Sequence, residues 1–129
     1  MATRSIRILV ADDFEPWRRR IRSILETRPE LGVIAEVGDG LETVQKAQEL
    51  KPDLILLDIG LPHLDGLEAA NRIRQITPDA AIIFLTQNSD QDLIPAGFRT
   101  GAQGYVLKAE AVTELLPAIE QALRDKRER

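Results

Sequence analysis

A chain of 129 residues fits one domain and buries roughly two thirds of its unfolded surface, enough for one core and too little for two. With 17 Lys and Arg against 21 Asp and Glu, its net charge of −4 gives no basic footprint for nucleic acid or an anionic membrane, so the domain alone is expected to bind neither. The absence of cysteine excludes a disulfide frame and a Cys-based metal site, and no apolar run approaches the ~20 residues of a membrane span, so a soluble cytoplasmic protein is expected.

In chain order, Ile6 to Ala11 reads as a strand that stops at the acid pair Asp12-Asp13. From Pro16, a favourable first helical residue, Trp17, Ile21, Ile24 and Leu25 recur at helical spacing. Arg18, Arg19, Arg20 and Arg22 mostly occupy the other faces and read as a solvated helix surface, with a partner-docking patch as the alternative. Val33 to Val37 forms a second strand, Gly38-Asp39-Gly40 turns, and a helix carries Leu41, Val44, Ala47 and Leu50 until Pro52 ends the pattern.

The stretch Pro52 to Asp58 is a short apolar run closed by a carboxylate, suited to a strand buried on both faces of a parallel sheet. Asp65 then caps a helix carrying Leu67, Ala70, Ile73 and Ile76, which stops near Thr77-Pro78. Ala81 to Thr86 is a fourth buried strand. Ser89 is placed to cap a helix from Asp90 to about Thr100, ended by Gly101, and Gly104 to Leu107 is a last strand closed by Lys108. The final helix, from about Val112 to Asp125, presents Leu115, Leu116, Ile119, Ala122 and Leu123, and a Thr113 cap would leave Pro117 at the edge of its first turn.

Strand and helix alternating about five times argue for one α/β domain over residues 1–129, a parallel sheet covered by helices on both faces. Its core runs from about residue 6 to 123, and the mixed tail 124–129 is expected to fray. The polar residues at strand ends are Asp12, Asp13, Asp58, Thr86 and Lys108, and in a doubly wound sheet those ends share one edge. Clustered carboxylates repel one another, and a hard divalent cation such as Mg²⁺ relieves the repulsion. Such a metal holds a phosphoryl group against a carboxylate nucleophile, while Lys and Thr neutralise and hydrogen-bond its oxygens.

The pieces Val10-Ala11-Asp12-Asp13, Asp58 through Gly66, Phe84-Leu85-Thr86 and Gly104 through Lys108, in that order and each at a strand end, resemble the receiver domain of two-component response regulators. The resemblance runs from about Ile6 to Leu123 and is greatest to receivers joined to a helix-turn-helix DNA-binding domain. It implies the flavodoxin-like strand order 2-1-3-4-5. It also implies that Asp58 accepts a phosphoryl group from a histidine kinase or phosphotransfer protein. Asp13, Asp58 and the Gly60 carbonyl would ligate Mg²⁺ directly, and Asp12 would do so through water. Thr86 and Lys108 would each bind a phosphoryl oxygen. Thr86 and Tyr105 would relay the change to the face of the fourth helix, fifth strand and fifth helix, through which a homodimer is also expected. No enzyme activity is implied beyond the domain's own phosphorylation and dephosphorylation, and a DNA-binding output domain would lie outside this sequence.

Three positions depart from the family pattern. Ala109 follows Lys108 where a proline in a cis peptide is common, and a cis bond before Ala costs ~3 kcal/mol. Gln87 stands where a small residue is usual, and Pro95 falls within the expected fourth helix, which should start late or kink, with Pro95 close to its ordered start. His63, the only histidine, lies in a loop without a partner by spacing and reads as exposed and inert.

The alternatives are a receiver-like module that signals without phosphorylation, a phosphohydrolase of the haloacid-dehalogenase type and a flavodoxin. The second lacks its acid/base, because Gly60 stands at the required position, and the third would have Asp12-Asp13 repelling its phosphate.

Overall fold

In the computed structural model, which describes residues 5–87 and 93–127, strands and helices alternate along the chain. The strands are β1 (Ile6–Ala11), β2 (Leu31–Val37), β3 (Leu54–Leu57), β4 (Ala81–Thr86) and β5 (Gly104–Leu107). The helices are α1 (Glu15–Leu25), α2 (Gly40–Leu50), α3 (Gly66–Ile76), α4 (Leu93–Arg99) and α5 (Ala111–Arg127). All strand pairs are parallel, in the order β2-β1-β3-β4-β5. The fold is therefore the doubly wound sheet expected from the alternation, in the order implied by the resemblance.

Period-two alternation explains the layering. On one face Ile8, Val10, Leu54, Leu56, Ile83 and Leu85 pack against Ile21 and Leu25 of α1 and Leu115, Ile119 and Ala122 of α5. On the other, Leu9, Ala11, Ile55, Leu57, Ile82 and Phe84 meet Ala47 of α2, Ala70 and Ile73 of α3 and the partly buried Leu93 of α4. Every residue of β3 and β4 is buried, and burying one of their Leu, Ile or Phe side chains contributes about 1.5–3 kcal/mol. Among the described residues no helix is long and apolar enough to cross a membrane.

Several boundaries differ from the sequence reading. β2 starts at Leu31, because Leu31 pairs with Ile6 at the sheet edge. β3 is confined to Leu54–Leu57, since Asp53 uses its side chain as well as its backbone to bind Arg7: its carboxylate accepts from Arg7 N at 2.9 Å. Thr113 does not cap α5. A 3₁₀ turn over Lys108–Glu110 leads directly into Ala111, the Thr113 hydroxyl donates back to the Glu110 carbonyl at 3.2 Å, and Pro117 lies inside the helix. Pro95 is the third of the described residues of α4, and the expected Ser89 cap and Asp90 start lie outside the described residues. The basic run of α1 is not a plain solvated surface either, because Arg18 and Arg22 both turn onto Glu36, at 3.4 and 2.8 Å.

The caps of α2 and α3 fix the loops around the sheet edge. Asp39 accepts from Glu42 N at 2.7 Å and Asp65 from Glu68 N at 2.9 Å. Gly66 opens α3 against the end of β3: its N–H donates to Ile59 O at 2.8 Å, and a Cβ there would stand 2.1 Å from Asp58 O. Only glycine permits that approach. Gly66→Ala should therefore push α3 away from Asp58 and destabilise the protein by about 1–3 kcal/mol, read as a lower urea midpoint with an unchanged slope. An unaltered midpoint would show that the loop yields freely.

Candidate functional site

The strand ladder continues one residue beyond β1 and β3 and fixes two of the acids. Asp12 N donates to Val37 O and Asp58 N to Ala11 O, both at 3.0 Å. Each carboxylate is then held in the same way. Oδ1 of Asp12 accepts from Phe14 N at 2.9 Å and Oδ1 of Asp58 from Gly60 N at 3.2 Å, in each case the amide two residues on. Oδ2 of both turns to one cation: Lys108 Nζ lies 2.5 Å from Asp12 and 3.3 Å from Asp58. The geometry is that of a hydrogen bond only toward Asp58, and Asp12 Oδ2 is buried without a hydrogen-bond donor.

Asp13 sits on the solvent side of this pair. One oxygen from each of Asp12, Asp13 and Asp58 lies within 4.8 Å of the others. Three hard oxygen donors at that spacing suit a divalent cation that keeps part of its water shell. Lys108, 5% exposed, is reached from the end of β5, and no peptide among the described residues is cis, so Lys108–Ala109 is trans. Thr86, at the end of β4, is buried and lines the same cleft of about 490 Å³, with Gln87 exposed at its margin. The structure thus brings Asp12, Asp13, Asp58, Gly60, Thr86 and Lys108 to one edge. Tyr105 is elsewhere, on β5, its ring 6.2 Å from that of Phe84.

Phe14 and Trp17 also line the cleft, and neither was marked by sequence pattern as part of the site. The available signal was their place in the first turn after the acid pair. Arg18 was equally hidden: its guanidinium donates to the Asp12 carbonyl at 2.7 Å and so ties the acid loop to Glu36 of β2. His63 is exposed as expected but not without a partner. With φ at 68° it places Nδ1 3.3 Å from Asp39 Oδ2, and the Asp39 carboxyl is held below its ordinary value by the Glu42 amide first and by His63 second.

The fold and this edge define a doubly wound α/β domain with a carboxylate cluster at the carboxyl ends of its strands. The chain belongs to the response regulator receiver domain family, which residues 8–120 match. It is 39% identical over 117 residues to the transcriptional regulatory protein LiaR of Bacillus subtilis, covering 91% of this chain and 56% of that protein. To the uncharacterized transcriptional regulatory protein YhcZ of the same organism it is 36% identical, covering 86% of this chain and 52% of that one. The chain spans about half the length of these relatives.

Among solved structures, the response regulator domain of Thermotoga maritima CheB superposes with a TM-score of 0.87 at 32% identity, covering 94% of this chain and 98% of that one. A two-component response regulator of the LuxR family from Aurantimonas gives 0.89 at 35%, covering 94% and 86%. The chain is thus a receiver domain of two-component response regulators, and its relatives include a transcriptional regulatory protein and a LuxR-family response regulator.

Burial raises the Asp12 carboxyl above its ordinary value of 3.8, outweighing the Lys108 ammonium and the Phe14 amide that favour ionisation, with the Asp58 charge adding to the rise. A carboxyl raised on folding adds stability that is complete below its unfolded value and is lost as the pH climbs through the folded one. In the presence of a chelator, urea stability should fall as the pH rises from about 4 through this range. Asp12→Asn should lack that decline, and an equal decline in the variant would assign it to other groups.

Proposed function

We propose that Asp58 accepts a phosphoryl group from the phosphohistidine of a histidine kinase or phosphotransfer protein, in the cytoplasm, and that Mg²⁺ is the cation that assists. The observation that carries this is the double restraint on Asp58: one oxygen on the Gly60 amide, the other toward Lys108, beside Asp12 and Asp13 and open to the cleft. An Asp58 oxygen attacks phosphorus, the phosphorus–nitrogen bond breaks, and the imidazole leaves with the electron pair and takes up a proton. The product is an acyl phosphate on Asp58. Lys108 exchanges its Asp58 contact for a phosphoryl oxygen, and the Thr86 hydroxyl donates to another. Asp12, Asp13, Asp58 and the Gly60 carbonyl would hold Mg²⁺, which supplies positive charge against the carboxylates and the transferring oxygens. The domain catalyses only its own phosphorylation and dephosphorylation.

The output follows from Tyr105. Thr86 drawn toward the phosphoryl group leaves room for Tyr105 to turn inward, and the face of α4, β5 and α5 changes. α4 lies directly on this device, since a Cβ on Gly97 would stand 3.1 Å from the Phe84 ring and 3.5 Å from Tyr105. That face is the proposed homodimer contact. The relatives' description as transcriptional regulatory proteins, and their greater length, support a DNA-binding output domain as the recipient of the signal.

Incubation with acetyl phosphate and Mg²⁺ should add one phosphoryl group by intact mass, with none in Asp58→Asn and none when chelator is in excess. If neither acetyl phosphate nor a phosphohistidine donor modified the protein, the remaining reading would be a receiver fold that signals without phosphorylation.

A further inference from the structure

Helical spacing groups Trp17 with Ile21, Ile24 and Leu25 of α1. Those three pack on the sheet, but Trp17 lines the cleft. Its ring centroid is 5.2 Å from Lys108 Nζ and 5.9 Å from the Arg20 guanidinium carbon, both within reach of cation–π attraction. The Lys108 ammonium has three close neighbours: Asp12 Oδ2 as an ion pair, Asp58 Oδ2 as an ion pair and hydrogen bond, and the Trp17 ring. The first two are altered whenever the site works, since both carboxylates are drawn on by a cation and Asp58 becomes an acyl phosphate. The ring is chemically the same in every state.

We propose that Trp17 is a positioning residue for Lys108, holding the ammonium over the cleft while its carboxylate partners change, so that it is in place when phosphoryl oxygens arrive. The inference rests on Asp58 as acceptor. A lysine side chain is rich in rotamers, and a fixed aromatic face beside the ammonium reduces the arrangements it must give up on binding phosphoryl. A wall that merely narrowed the cleft would act differently, because removing it would speed entry and favour the bulkier donor.

The test measures initial phosphorylation rates with two donors of different bulk, acetyl phosphate and phosphoramidate, in the full chain. Trp17→Leu should slow both by roughly fivefold, the size of one partly desolvated cation–π contact, and Trp17→Phe should recover most of the loss. In a Lys108→Met background, Trp17→Leu should make no further difference, since the residue acts through Lys108. Unchanged or faster rates, a loss confined to one donor, or the same loss in the Lys108→Met background would each overturn the proposal. A wild type modified by neither of these donors nor by a phosphohistidine donor would instead remove the Asp58 reading on which it stands.

A second measurement needs no Trp17 variant. Trp17 is the only tryptophan, so fluorescence excited beyond the absorption band of the single tyrosine reports on it alone. Its emission should shift in Lys108→Met, and an unshifted spectrum would exclude the contact.

Discussion

The carboxyl edge of the sheet carries three carboxylates within 4.8 Å of one another and one buried ammonium among them. Three negative charges against one positive leave the edge short of cation, and where water is partly excluded this shortage is felt strongly. The carboxylates stay because the backbone does not let them separate. Asp12 and Asp58 are locked by ladder bonds to Val37 and Ala11, and their inner oxygens by the amides of Phe14 and Gly60. The stability of the α/β core is thus set against an electrostatic cost at its edge, the condition in which a cation or a phosphoryl group changes the energy most.

The elements that hold this edge are spread over the chain. Arg18 reaches from α1 to the Asp12 carbonyl and to Glu36, so the acid loop is tied to the outermost strand. Gly66 brings the start of α3 against the Asp58 carbonyl. Lys108 enters from β5, at the opposite side of the sheet from β2. One edge therefore integrates contacts from β1, β3 and β5, and the order β2-β1-β3-β4-β5 puts β3, with Asp58 just beyond it, at the centre.

Much of this was legible in the sequence, because buried parallel strands are unbroken apolar runs and an acid just beyond such a run marks the end of the strand. Asp12, Asp13, Asp58, Thr86 and Lys108 could be assigned to one edge without coordinates. What could not be read depended on contacts between segments distant in the chain or on competition between local signals. Thr113 carries the chemistry of a cap, but the 3₁₀ turn after Lys108 runs straight into α5 and leaves Pro117 in its interior. His63 finds Asp39 across a loop, and Glu36 gathers two arginines that their own helix would have left in water. Trp17 obeys the helical period and yet belongs to the cleft, since period gives a side of the helix and not what faces it.

The route from this edge to the outer surface of the domain is short for a reason of strand geometry. Residues two apart in a strand share a face, so Thr86 and Phe84 of β4 both point toward the layer that contains α4. Phe84 is in register with Tyr105 of β5 and in ring contact with it. α4 packs on that pair through Gly97, where a Cβ would stand 3.1 Å from the Phe84 ring and 3.5 Å from Tyr105. Under the proposed reading, a charge added at Asp58 therefore reaches the α4 layer by way of β4, whose Phe84 is in ring contact with Tyr105.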